Sequence, residues 1–139
     1  MRNPVGVAAL WMTGLLATAT LAFLPKEVER GQKIFDLHCA ICHGAEAQGG
    51  QVPSRIPGYA GMKAPALVGR GALPHMANAE NIYAFVKQHM PLNRPGTLSD
   101  QDALDIVTFI IDANNIAKPG TQPMAPEALR SIKIPKLWR

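Results

Sequence analysis

The chain of 139 residues has only two cysteines, Cys39 and Cys42. That scarcity excludes a four-ligand zinc ribbon, because no second Cys/His cluster stands at matching spacing. A thioredoxin-like thiol pair needs a βαβ setting, and no strand-like alternation surrounds these cysteines. Charge of either sign is also in short supply. Lys and Arg total 14 against 10 Asp and Glu, a net +4. So mild an excess leaves no nucleic-acid footprint. Large side chains are few as well: two Trp, two Tyr and four Phe. A domain of roughly 90 residues built from these has a thin core of its own.

What is present is a pattern, Cys39-x-x-Cys42-His43. C-x-x-C-H is the spacing for covalent attachment of a c-type haem. Two thiols two residues apart can add across the two vinyl groups on one haem edge. The His directly after the second thiol then lies under the iron as its proximal ligand. A buried porphyrin would supply much of the missing apolar volume. Its two propionates would also bring the domain closer to neutral.

Upstream, residues 5–24 form an uncharged apolar run preceded only by Arg2 and the amino terminus. A secretory signal fits the basic start and the small residues Ala17, Ala19 and Ala22. An uncleaved anchor fits the length, since about 20 residues span about 30 Å of bilayer core. Lys26, Arg30 and Lys33 on the translocated side count against the anchor. Either way the domain that follows crosses a membrane.

Residues 25–37 predict a helix, with Pro25 suited to a first helical position and Glu27 and Glu29 near its positive end. Val28, Ile34, Phe35 and Leu37 are its apolar set. Gly31 shares a face with Phe35, and its missing side chain is expected to admit a closely crossing helix. Residues 44–77 are so rich in Gly and Pro that regular elements are not expected. A loop this long needs something to pack it, and a haem edge serves, with residues 62–67 against the ring. Asn78 caps a helix predicted to reach residue 89, with Ile82, Phe85 and Val86 on one face. A loop over 91–97 follows. Then Ser99 and Asp102 signal the start of a helix to about residue 113, which Asn114-Asn115 can end. The tail from residue 116 holds Pro119, Pro123, Pro126 and Pro135. It is either solvated, laid over the domain, or a docking strip. Leu129, Ile132, Ile134, Leu137 and Trp138 make it too apolar for a pure linker, and one or two helical turns can form between Pro126 and Ile132.

The second axial position of the iron separates electron transfer from ligand chemistry. Met90 has the best context. It follows a helix, is stiffened by Pro91, and precedes another helix that can close over the ring. His89 is its main rival, with Met76 and Met62 behind it. His75 is possible from its loop. His38 is too near the attachment point to reach the far face, Met124 lies in the tail, and Met12 lies in the membrane-directed segment.

Residues 28–115 resemble the small class I c-type cytochromes, particularly bacterial periplasmic ones. The likeness rests on Gly31-x-x-x-Phe35, Cys39-x-x-Cys42-His43-Gly44, Ala64-Pro65-Ala66-Leu67, Met90-Pro91 and the capped helix beginning Leu98-Ser99-Asp100-Gln101-Asp102. It implies an all-α class I cytochrome c fold, with three main helices and long Gly/Pro-rich loops around one covalently bound haem c, behind an N-terminal apolar helix. It implies covalent attachment at Cys39 and Cys42 and iron ligation by His43 and Met90. It further implies a hydrogen bond from His43 to the Pro65 carbonyl, and a helix crossing in which Ile106 and Phe109 meet Gly31 and Phe35.

The longer loop between His43 and Pro65 departs from the smallest members, and Tyr59 and Arg70 are its guesses for propionate contacts. The tail resembles, in composition alone, extensions of cytochromes that serve periplasmic dehydrogenases. The expected layout is a signal or anchor over 1–24, a cytochrome domain over 25–115 and a basic extension over 116–139. The expected function is non-enzymatic, one-electron relay on the periplasmic side of a bacterial inner membrane. Its partners would be a dehydrogenase or quinol-oxidising complex on one side and an oxidase or another cytochrome on the other. Membrane contact would come through residues 5–24 if they are retained, and no nucleic acid is expected. A haem-containing catalytic subunit with thiosulfate or peroxidase-type chemistry is the alternative. A haem-based sensor has no room for an output domain.

Overall fold

A computed structural model describes residues 23–137. The signal or anchor expected over 1–24 lies, except for Phe23 and Leu24, outside the described residues, as does Trp138. Among the described residues no helix is long and apolar enough to cross a membrane.

Helix α1 is Pro25–His38, starting on the predicted proline. Its first turn is closed by Glu27, whose carboxylate accepts the Leu24 N–H at 2.7 Å. Cys39 ends it, giving its N–H to the Phe35 carbonyl at 2.7 Å. The chain turns at once into a single helical turn, α2, Ala40–His43. Gly44, at φ 82°, releases it. This turn was not anticipated, since four residues carry no period. The Gly/Pro-rich stretch holds one minimal ribbon, β1 (Gly50–Gln51) antiparallel to β2 (Lys63–Ala64), with Gly50 opposite Ala64. Two-residue strands leave no alternation to detect. Helix α3 is Ala79–His89, capped by Asn78, whose side-chain oxygen accepts the Asn81 N–H at 3.1 Å. Helix α4 is Asp100–Ala113. Its cap is reciprocal: the Ser99 hydroxyl accepts the Asp102 N–H at 3.0 Å, and Asp102 accepts the Ser99 N–H at 3.2 Å. Each such cap supplies partners for helix N–H groups that would otherwise have none.

Helix α4 is buried along most of its length, on more than one face, and it is the axis of the domain. Helix α1 crosses it at Gly31. A Cβ at that position would overlap the Asp105 carbonyl oxygen and stand 3.0 Å from Phe109 Cβ. One turn along, the rings of Phe35 and Phe109 meet with centroids 5.2 Å apart. One residue back, Arg30 forks onto the buried Asp105 carboxylate at 2.7 and 2.9 Å. That pair raises the Arg30 guanidinium pKa. Leu37 departs from the predicted apolar set, being 75 % exposed. Asn114 ends α4 and, buried, ties a loop to it. It accepts the Gly69 N–H at 2.9 Å and donates to the Leu67 and Ile110 carbonyls at 2.9 and 2.8 Å.

The tail is laid over the domain. Met124, Leu129, Ile132 and Ile134 are buried in the same core as α4, with Phe23 beside them. Its backbone is fastened at both sides. Gly120 donates to the Phe23 carbonyl at 2.7 Å, while Ile132 accepts from Ala79 at 2.9 Å. Ile134 donates to Ala77 at 3.1 Å, and Leu137 accepts from Gly71 at 2.9 Å. One 3₁₀ turn, Pro126–Ala128, falls where a helical turn was expected.

Glu27 is the fastener between tail and α1. It is 3 % exposed, and besides Leu24 it accepts the Met124 N–H at 3.1 and 3.2 Å. Glu27→Ala would leave two backbone donors without their acceptor. At about 1–3 kcal/mol for each buried unsatisfied group, a loss of roughly 2–4 kcal/mol is expected in urea unfolding, together with faster proteolysis near residue 120. An unchanged midpoint would mean that water replaces the carboxylate at no cost.

Candidate functional site

Helix α4, the end of α1, α2, α3 and the Gly/Pro-rich loop enclose one side of a cavity of about 770 Å³. That lies within the roughly 300–1,000 Å³ range of cofactor sites. Its lining is mainly apolar, and the charged side chains in it are Lys63 and Arg94. Leu37, Ile41, Met62, Phe85 and Leu92, all exposed, lie along its lining. A cluster of large apolar side chains around an opening is the mark of a ligand or partner surface. Leu37 therefore faces this opening and not the helix crossing.

Cys39, Cys42 and His43 line the cavity. The break between α1 and α2 sets both sulfurs along it, with no disulfide joining them. Burial, with Cys42 as a lesser cause, pushes the Cys39 thiol up to about 12. His43 is buried, and its Nδ1 lies 2.8 Å from the Pro65 carbonyl oxygen. A carbonyl can only accept, so Nδ1 carries the proton and donates. In the neutral ring that leaves the lone pair on Nε2, the form that ligates a metal. Gly49 makes this approach possible. At φ 83° it has a backbone few other residues adopt, and a Cβ there would stand 2.7 Å from the Ala66 nitrogen.

The other predicted residues divide into three groups. Phe35 and Ile106 are buried and line the cavity, while Gly31 and Phe109 lie at the crossing behind it. Met90, Met76, Met62, His75 and His38 all line the cavity. Met90 sits at the C-cap of α3, its N–H bonded to the Val86 carbonyl at 3.1 Å. His89 and Met124 are not in the lining. The His89 ring packs at a tilt against Phe85, four residues back on the same helix face, with centroids 5.0 Å apart. Met124 is held in the core beneath the tail. Of the propionate guesses, Tyr59 is in the lining and Arg70 is not. Sequence reasoning missed Arg94, Leu73 and Val52 as lining residues, while Lys63 falls in the 62–67 segment expected against the ring. The three missed residues come from segments without helical period, where no local signal marks which side chains turn inward.

The donor set fits a c-type haem. There are two thiols at attachment spacing, an imidazole with its outer nitrogen fixed and its inner one free, and an apolar cavity of matching size with thioethers in its lining. Comparison with known proteins points the same way. The family model for cytochrome c matches residues 28–113. A thiosulfate dehydrogenase of Psychrobacter arcticus is 32% identical over 89 residues, covering 62% of this chain and 26% of that protein. A cytochrome bc1 complex cytochrome c subunit of Corynebacterium efficiens is 32% identical over 99 residues, covering 69% of this chain and 29% of its own. The chain thus spans between a quarter and a third of the length of these curated relatives. The crystal structure of the sulfane dehydrogenase SoxCD from Paracoccus pantotrophus shares the fold. Its TM-score is 0.59 at 22% identity, over 98% of this chain and 70% of that one. With the family pattern matched across the three main helices and the attachment motif set in a cavity that suits a haem, this chain belongs to the cytochrome c family, a haem c electron-transfer domain.

Proposed function

We propose that this chain is a mono-haem, one-electron carrier whose iron is held by His43 on one face and Met90 on the other. The observation that carries this reading is the His43–Pro65 hydrogen bond on a cavity that Met90 also lines. Haem, when bound, supplies a one-electron iron couple. The chain does the rest. Cys39 and Cys42 would hold the group by thioether bonds. The Pro65 carbonyl fixes the imidazole plane and raises its basicity. A Met thioether favours a higher potential than more strongly donating ligands. Phe35, Ile106 and Ile110 keep water from the interior wall, while Leu37, Ile41 and Phe85 leave an apolar rim for a brief encounter with a redox partner. Small interfaces of that kind suit fast exchange.

The proposal extends to setting. The domain works on the periplasmic side of a bacterial inner membrane, with residues 1–24 as signal or anchor and 116–139 as an extension. It passes electrons from a dehydrogenase or quinol-oxidising complex to an oxidase or another cytochrome. The relatives named above, a thiosulfate dehydrogenase and a bc1 complex subunit, support a place in a redox complex. The mass of the mature protein distinguishes a cleaved signal from a retained anchor.

The thiosulfate dehydrogenase likeness favours a second reading, a haem-containing catalytic subunit, which needs an axial position that a substrate can reach. One experiment separates the two. The oxidised holoprotein is expected to show the weak red-end band of Met-to-iron charge transfer, and the reduced form to resist carbon monoxide. Rapid carbon monoxide binding by the unmodified protein would favour the catalytic reading.

A further inference from the structure

We infer that Lys87 is a positioning residue for Met90, closing the neck of the loop that presents the thioether. The inference rests on the proposed His43/Met90 site and adds to it a control on how firmly the distal position is held.

Met90 ends α3. Beyond it the chain makes a loop turned by two local bonds. The Arg94 N–H donates to the Pro91 carbonyl at 2.8 Å, and the Thr97 hydroxyl donates to the Arg94 carbonyl at 2.8 Å. The loop rejoins the core at Leu98, which is buried, directly before the N-cap Ser99. Lys87 lies in the last turn of α3, three residues before Met90, and spans the neck from one end to the other. Its ammonium donates to the Leu98 carbonyl at 2.6 Å and stands 2.9 Å from an Asp100 carboxylate oxygen.

The two contacts are unequal. The Asp100 side chain is 83% exposed, and an ion pair so open to water contributes little. The bond to Leu98 is short and charge-assisted, the stronger class of hydrogen bond. It also joins backbone that moves with the loop. Met90, Leu92, Asn93 and Arg94 all line the cavity, so a neck that opens lets this wall swing away while the helices stay folded. Lys87 touches none of the reacting atoms, and it acts on Met90 through the closure of the loop.

The test uses the oxidised holoprotein in rising guanidinium. The Met-to-iron band reports the distal ligand, and far-UV circular dichroism reports the fold. In Lys87→Gln the band is expected to disappear at lower denaturant than in the parent, with the helical midpoint nearly unchanged. The ligand-free population should rise about tenfold, as for loss of one charge-assisted bond, and carbon monoxide association should accelerate to match. Lys87→Arg should restore the parent behaviour, and Asp100→Asn should change little. If the parent shows the band and Lys87→Gln loses it only together with the helices, Lys87 is a plain surface residue and the inference fails alone. A parent protein with no band overturns the axial reading and this inference together.

Discussion

Gly31→Ala is expected to destabilise the domain by about 2–4 kcal/mol and to lower its melting temperature by roughly 10–20 °C. The reason is the nature of the obstacle. The new methyl would meet the Asp105 carbonyl, which is backbone of α4, together with the Phe109 Cβ at 3.0 Å. No rotamer change can clear a main-chain oxygen, so α1 or α4 must shift. Helix propensity works in the other direction, since Ala in place of Gly gains about 1 kcal/mol in a helix interior. The clash wins because a shift at this point also strains its neighbours. The Arg30–Asp105 fork and the Phe35–Phe109 contact lie within one turn of Gly31, and all three depend on the same helix separation. The cost would consume a large share of the about 5–15 kcal/mol by which a domain is stable. Thermal unfolding of the holoprotein reads it directly. A variant as stable as the parent would show that the crossing has slack and that Gly31 is only a weak point in α1.

The second large effect is on the iron. Met90→Ala is expected to abolish the red-end band, admit carbon monoxide to the reduced protein, and lower the reduction potential on the order of 0.1 V. That figure is a fraction of the about 0.8 V that axial ligands span. If Met90 holds the iron as proposed, its loss would leave the distal position open or taken by water. Met76→Ala and Met62→Ala are the controls. Both residues line the cavity, and if Met90 is the ligand both variants keep the band. A band that survives Met90→Ala but disappears in Met76→Ala would move the distal ligand to the loop before α3. Met90→Ala also loosens the apolar wall, but that alone would leave the band in place, so spectrum and stability report different things.

The parts of this molecule that were legible in the sequence are those with local causes. Helices α1, α3 and α4 begin where Pro25, Asn78 and Ser99 signal a start, because a cap acts within one turn of itself. The attachment pattern was legible because two thiols and an imidazole at fixed spacing serve one chemistry. Gly31 was conspicuous because a glycine in a helix needs a reason, and the crossing with α4 supplies one. Leu37, in the apolar set of α1, lies on the cavity rim and not in the core, because apolar character says that a residue avoids water, but not which surface it avoids water against. Arg70 was a guess in a stretch without periodicity, where only the path of the chain decides which side chains turn inward.

By itself, then, the sequence determined the haem-attachment chemistry, the number of main helices and where they start. Only the tertiary structure decided that the tail extension packs onto the α4 core and that a bond between Glu27 and Met124 fastens it. It also decided that His89 packs on Phe85 and is not part of the cavity lining, and that Lys87 bonds the Leu98 carbonyl at the far end of the loop after Met90. These are contacts between segments far apart along the chain or on opposite sides of a loop. Their energies depend on three-dimensional closure, and closure leaves no period in the sequence to read.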